Sequence, residues 1–139
     1  MTLDPKPYRI IIAGSRDLEF YDFDPLLCNI VYKINRYVRN CHHIEVVSGT
    51  ARGGDQLGEN WAKVYGHQVA RFPAHWKAEG RAAGYNRNMR MGKYADALIA
   101  IWDGKSRGTK HMIDIAEDLK LDVRIIRTDK ISTTELEVA

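Results

Sequence analysis

The sequence predicts an α/β fold: a single doubly wound, parallel five-stranded sheet with helices on both faces. Three observations predict it. Five short apolar segments recur, Tyr8–Ala13, Ile44–Val47, Gln68–Phe72, Ala97–Trp102 and Val123–Arg127, four of them rich in β-branched residues and each closed by polar, glycine or proline residues. The stretches between them carry apolar residues at helical spacing. Strand and helix alternate at roughly 25–30 residues per unit, the rhythm of right-handed βαβ crossovers, whose sheets take ligands outside the carboxyl ends of the strands.

Taken in order, the first strand leaves through Gly14, Ser15, Arg16 and Asp17. The first crossover is a helix with Asp24 as its cap, Pro25 at its first position, and Leu26, Leu27, Ile30, Val31, Ile34 and Val38 on one apolar face. Cys28 and Cys41 stand at opposite ends of that helix, a placement that suits neither a metal knuckle nor a bridge within it, so both read as reduced thiols. After the second strand, a helix from Gln56 to Tyr65 is expected to present Leu57, Trp61, Val64 and Tyr65 to the sheet. A third helix covers about Arg81–Tyr94, and a fourth shows Met112, Ile115, Ala116 and Leu119 at i, i+3, i+4 and i+7. Residues 129–139 lack a buried pattern, which makes residues 1–128 one domain and 129–139 a frayed or partner-binding tail.

A chain of 139 residues fits one core without staples. With 45% hydrophobic and 28% charged residues, the composition is that of a globular protein with little room for disorder. The longest apolar stretches, Ile10–Gly14 and Ala97–Trp102, fall far short of the roughly 20 residues of a membrane helix, and no signal peptide opens the chain. The expected location is cytoplasmic, with no membrane partner. A net charge of +3 gives a mild attraction for anions without a basic run of the nucleic-acid-arm type. His42, His43, His67, His75 and His111 lack the i, i+4 pairing of a zinc helix. Neither a metal nor a cofactor is expected.

Two turns carry the chemistry. Ser48, Gly49, Thr50, Ala51, Arg52, Gly53, Gly54 and Asp55 join a strand to a helix. Such a turn offers amides that the helix cannot satisfy, the positive end of the peptide dipoles, and glycines that let an anion approach. Arg52 would neutralise phosphate, and Asp55 either bonds a ribose hydroxyl or simply stabilises the first helical turn. The second turn carries Asp103, Gly104, Lys105, Ser106, Arg107, Gly108, Thr109 and Lys110. It does not match a Walker A loop, nor do Gly14–Arg16 and Gly49–Gly54 match the dinucleotide fingerprint, so kinase-like transfer and hydride transfer are disfavoured. The guanidinium of Arg16 at the first strand exit matches phosphate oxygens or pairs Asp17. Arg81, Arg87 and Arg90 share the third helix with Asn86 and Asn88. In the loop after the third strand, His75 and Trp76 either stack on a base or pack on the domain. Two cradles in one small domain point to a phosphate-bearing ligand of nucleotide size.

The pieces Ala13-Gly-Ser-Arg16, Val47-Ser-Gly-Thr-Ala-Arg-Gly-Gly-Asp55, Asn86-Arg-Asn-Met89, Ala95-Asp-Ala-Leu-Ile-Ala100 and Trp102-Asp-Gly-Lys-Ser-Arg-Gly-Thr109 together resemble the SLOG superfamily. That Rossmann-like group includes the Lonely Guy phosphoribohydrolases and the DNA-processing protein A of transformation, and the likeness is greatest to its small bacterial and phage YspA-like branch. The resemblance implies a nucleotide ligand, a site arginine at Arg87, and a homodimer or higher assembly. In Lonely Guy enzymes a lysine follows that arginine and a glutamate follows the Gly-Thr pair. Here Asn88 and Met112 stand at those positions.

Methionine can neither stabilise an oxocarbenium ion nor activate water. Asp114 lies about 200° around the helix from Met112, which leaves Asp55, Asp103 or Asp17 as substitutes. The first reading is therefore binding of a nucleotide or nucleotide-derived phosphate ligand by a sensor or accessory protein. The alternatives are a nucleotide N-glycosidase with Arg87 and Asp55 as its catalytic pair, and single-stranded nucleic-acid binding through Arg52, Arg87, Arg90 and Lys105 with Trp76 stacking.

Overall fold

A computed structural model of the protein describes residues 6–19 and 24–130. Five parallel strands, β1 (Tyr8–Gly14), β2 (Ile44–Ser48), β3 (Gln68–Arg71), β4 (Ala97–Trp102) and β5 (Asp122–Arg127), form one sheet in the order β3-β2-β1-β4-β5. The helices are α1 (Pro25–Val38), α2 (Gly54–Tyr65), a short α3 (Trp76–Glu79), α4 (Ala83–Tyr94) and α5 (Arg107–Asp118). The winding direction reverses between β1 and β4, the position where an open α/β sheet leaves a crevice at its carboxyl edge.

The sheet is apolar on both faces, as a parallel sheet must be when helices cover it on each side. Alternation within β1 divides the core. Ile10 and Ile12 pack with Ile30 and Ile34 of α1 and with Leu57 and Trp61 of α2, whereas Ile11 and Ala13 pack with Met91 of α4 and Met112, Ile115 and Ala116 of α5. Asp24 caps α1 as expected, its carboxylate accepting from the Leu26 amide at 2.9 Å.

Several expectations are corrected. Val64 and Tyr65 do not face the sheet but are 75% and 48% exposed. In the middle of α2 it is Gly58 that lies against the sheet, where an added Cβ would stand 2.7 Å from that of Ile12, and Val64 lies about 120° around the helix from it. Tyr65 packs instead on Trp61, with ring centroids 5.4 Å apart, and its hydroxyl accepts from Asn35 Nδ2 at 3.0 Å. The helix expected from Arg81 begins at Ala83, because Gly80 adopts φ +58° and the chain passes through a 3₁₀ turn, Gly80–Ala82, that includes Arg81. Leu119 lies just past the end of α5 and is 40% exposed.

At the other end of the chain a 3₁₀ turn covers Thr128–Lys130, and the rest of the expected tail lies outside the described residues. Cys28 is exposed, Cys41 is half-buried, and both are free. Among the described residues no helix is long and apolar enough to cross a membrane.

Candidate functional site

A cleft of about 650 Å³, within the size range of small-molecule sites, opens where β1 and β4 leave the sheet. Its walls are the β1 exit through Gly14, Ser15 and Arg16, the β4 exit through Asp103, Lys105 and Ser106, the first turns of α2 and α5, and α4. Met112, 1% exposed, lines it where the resemblance puts a carboxylate.

Arg87 anchors the site. It is only 8% exposed, its Nε donates to Asn88 Oδ1 at 3.0 Å, and its Nη1 donates to the Gly49 carbonyl. A Cβ on Gly49 would stand 2.7 Å from Arg87 Nη1 and 2.8 Å from Asp55 Oδ2, so the turn after β2 needs glycine there to admit both groups. Burial lowers the Arg87 pKa, the Asp55 carboxylate opposes that shift, and the charges of Arg16 and Arg90 add to it. Asp55 is 6% exposed and accepts from the Ala51 amide at 3.1 Å. Burial pushes its pKa up to about 6, although the Ala51 hydrogen bond and the neighbouring Arg87 both favour the carboxylate. A buried carboxyl group with a raised pKa, set beside a guanidinium in a cleft, makes Asp55 a candidate functional group.

Asn88 joins two walls. While Oδ1 accepts from Arg87, Nδ2 donates to the Gly108 carbonyl at 3.4 Å and lies 3.1 Å from His111 Nδ1. With the amide so oriented, His111 Nδ1 is the acceptor and its proton resides on Nε2. Burial lowers the His111 pKa, Asp114 opposing, which fits the neutral ring, and Tyr85 meets that ring edge-on with centroids 4.4 Å apart. Tyr85 lines the cleft and is a site residue that the sequence reading did not single out. Standing about 200° around α4 from Arg87, it carried no spacing signal that would have marked it.

The second turn uses part of its own polarity. Asp103 accepts from the amides of Lys105 and Ser106, each at 2.8 Å, and these bonds hold its carboxyl below the usual range. Those two amides are therefore spent. The amides of Arg107, Gly108 and Thr109 open α5 and have no intrahelical acceptor. Ser106 Oγ lies 3.2 Å from Thr109 Oγ1. Ser15 is 2% exposed and its hydroxyl makes no hydrogen bond of good geometry, though it lies near enough to Asp103 to help keep that acid ionised. Gly104, at φ +82°, sits against the Arg127 guanidinium outside the cleft lining.

The other candidates are dispersed. Ser48 is fully buried, donating to Glu59 Oε2 at 2.7 Å and accepting from the Thr50 amide at 3.1 Å. Gly53, at φ +74°, and Gly54 press against the end of β1, with the Gly54 amide donating to the Ser15 carbonyl at 3.3 Å, so this glycine pair secures α2 to the strand. Arg52 does not line the main cleft. It borders a side lobe of about 450 Å³, together with Gly49 and Thr50, and the two spaces share Arg16, Ala51, Trp76 and Arg87. Arg52 and Thr109 thus border neighbouring compartments of one rim. Lys110 turns outward to pair with Asp114. Among the described residues no group of three or more His, Cys, Asp or Glu is placed to hold a metal ion.

These features define the class: an open, doubly wound α/β domain with a concave, mixed-charge cleft at the switch point of its sheet. Within that class the chain belongs to the YspA, cpYpsA-related SLOG family, whose model matches residues 8–78. It is 32% identical over 121 residues to the Gene 61 protein of Mycobacterium phage D29, covering 83% of this chain and 93% of that one. A match of that extent necessarily takes in Arg87 and Thr109. In three dimensions it is similar to DNA processing protein A (DprA) from Streptococcus pneumoniae, with a TM-score of 0.64 and 16% identity over 86% of this chain and 50% of that chain. The chain spans half the length of that protein, and the likeness is one of fold.

Proposed function

We propose that the protein binds a nucleotide or nucleotide-derived phosphate ligand in this cleft, as a sensor or accessory protein. The observation that carries the reading is the buried Arg87, tied through Asn88 to the opening turn of α5. A guanidinium held in place and a helix start with unspent amides, joined by one carboxamide, make a pre-set receptor for a phosphate. Asp17, Asp55 and Asp103 on the same walls suit the hydroxyls of a sugar.

A nucleotide panel in a thermal-shift measurement tests this. A ligand present at a hundredfold its Kd adds roughly 2.7 kcal/mol, which for a domain of this size raises Tm by roughly 5–10 °C. No shift with any nucleotide would remove the proposal. Nucleic acid is separated by salt, because a single strand neutralised at several phosphates loses affinity far more steeply than a mononucleotide does.

Asp55 favours a second reading, a nucleotide N-glycosidase. Its carboxyl group titrates near neutrality inside the cleft, which suits general acid or base work in the absence of a carboxylate at Met112. Release of free base from nucleoside monophosphates, abolished by Asp55→Asn, is the result this reading requires.

A further inference from the structure

Resting on the nucleotide reading, we infer that the ligand carries a second anionic group, seated in the side lobe on Arg16, Arg52 and Arg87 beside a base stacked on Trp76. Its class is a small dinucleotide rather than a mononucleotide.

The two compartments differ in charge. Three carboxylates, Asp17, Asp55 and Asp103, stand among the cations that line the main cleft, whereas the side lobe is lined by three arginines and no carboxylate. Among the described residues neither Arg16 nor Arg52 forms an ion pair. Arg71, on the neighbouring strand end, is by contrast matched to Glu59 at 2.8 Å. Arg87 has Asp55 beside it to offset its charge, whereas Arg16, close enough to lower the pKa of Arg87, adds positive charge to the lobe that a bound anion would neutralise. The lobe's floor is held in shape, since the Thr50 amide is bound to Ser48 Oγ at 3.1 Å and the Ala51 amide to Asp55 at 3.1 Å.

Trp76 marks the junction. It is 53% exposed and lines both compartments, with its ring tip over Gly84, where an added Cβ would stand 3.6 Å from Cη2. An exposed indole between two anion-receiving pockets is a platform for a base whose phosphates reach in both directions. Arg87, shared by both walls, faces the two phosphates from between.

Calorimetric titration at one ionic strength tests this with adenosine monophosphate, 5′-phosphorylated diadenylate and a twelve-residue oligothymidylate. The diadenylate should bind roughly 10- to 100-fold more tightly than the monophosphate, the gain of one added charge-assisted contact set. Arg52→Ala, an exposed position with no recorded bond to the fold among the described residues, should bring that ratio to near one, with melting curves confirming an intact domain. Equal affinities for the two adenylates, or a ratio that Arg52→Ala leaves intact, would overturn the second subsite while the nucleotide reading stands. Much tighter binding of the oligothymidylate would convert the lobe into part of a nucleic-acid track and overturn the small-ligand claim. Silence from all three probes would end both this inference and the reading it rests on.

Discussion

Asp55 and Arg87 show how one buried pair shapes both stability and binding. Because the Asp55 carboxyl titrates at about 6 when folded, against an unfolded value of 3.8, the folded protein holds its proton more tightly than the unfolded chain does. Above about pH 6 the ionised, buried group therefore destabilises the fold by its full amount, about 3 kcal/mol for a shift of this size, and that penalty fades as pH falls toward 4. Asp55→Asn should thus be more stable than the natural protein at pH 7 by up to that amount, with the two converging near pH 4 in urea titrations. Arg87→Lys keeps the charge but not the fork that reaches both Asn88 and Gly49, and should weaken nucleotide binding roughly 10- to 100-fold in calorimetry. Arg87, Asp55 and Gly49 were legible as residues, since arginine, carboxylate and glycine each announce a chemistry. Their mutual packing was not, because it joins a turn after β2 to the middle of α4, a contact between distant segments that no local pattern encodes.

At the level of elements, apolar spacing located every strand within one or two residues and the long helices nearly as well. It failed on α2, whose middle turn meets Ile12 of the sheet through Gly58, a residue that an apolar count cannot see. It failed again before α4, where the positive φ of Gly80 breaks what otherwise reads as one helix. The two helical glycines with opposite surroundings give a direct check. Gly58→Ala gains helix propensity but forces a methyl group against Ile12, so it should lower Tm, at an overpacking cost of about 1–3 kcal/mol. Gly108→Ala meets nothing within 4 Å and should hold or raise Tm, by at most about 1 kcal/mol. The glycine-rich turn after β2 likewise divides on inspection: Gly49 makes room for the site, while Gly53 and Gly54 bring α2 against β1.

On the scale of the whole molecule, the topology decides where chemistry gathers. The order β3-β2-β1-β4-β5 puts the exits of β1 and β4 side by side, so two turns nearly ninety residues apart in sequence meet at one rim. The net charge of +3 supplies only a weak general field. Raising salt from about 50 to 200 mM should therefore weaken a mononucleotide complex only a few-fold, compared with the thousand-fold or greater losses typical of proteins gripping many phosphates. Calorimetry at both salt concentrations separates the outcomes. The alternation that predicted a doubly wound sheet left its strand order open, and with it the meeting of these turns. Asn88, spanning from α4 to the start of α5, has a further effect on motion. Since this carboxamide adds a polar tie to helices already joined by Met91 against Met112 and Ile115 and by Tyr85 against His111, a molecule that grips either helix should slow hydrogen–deuterium exchange in both, spreading protection well beyond its own footprint.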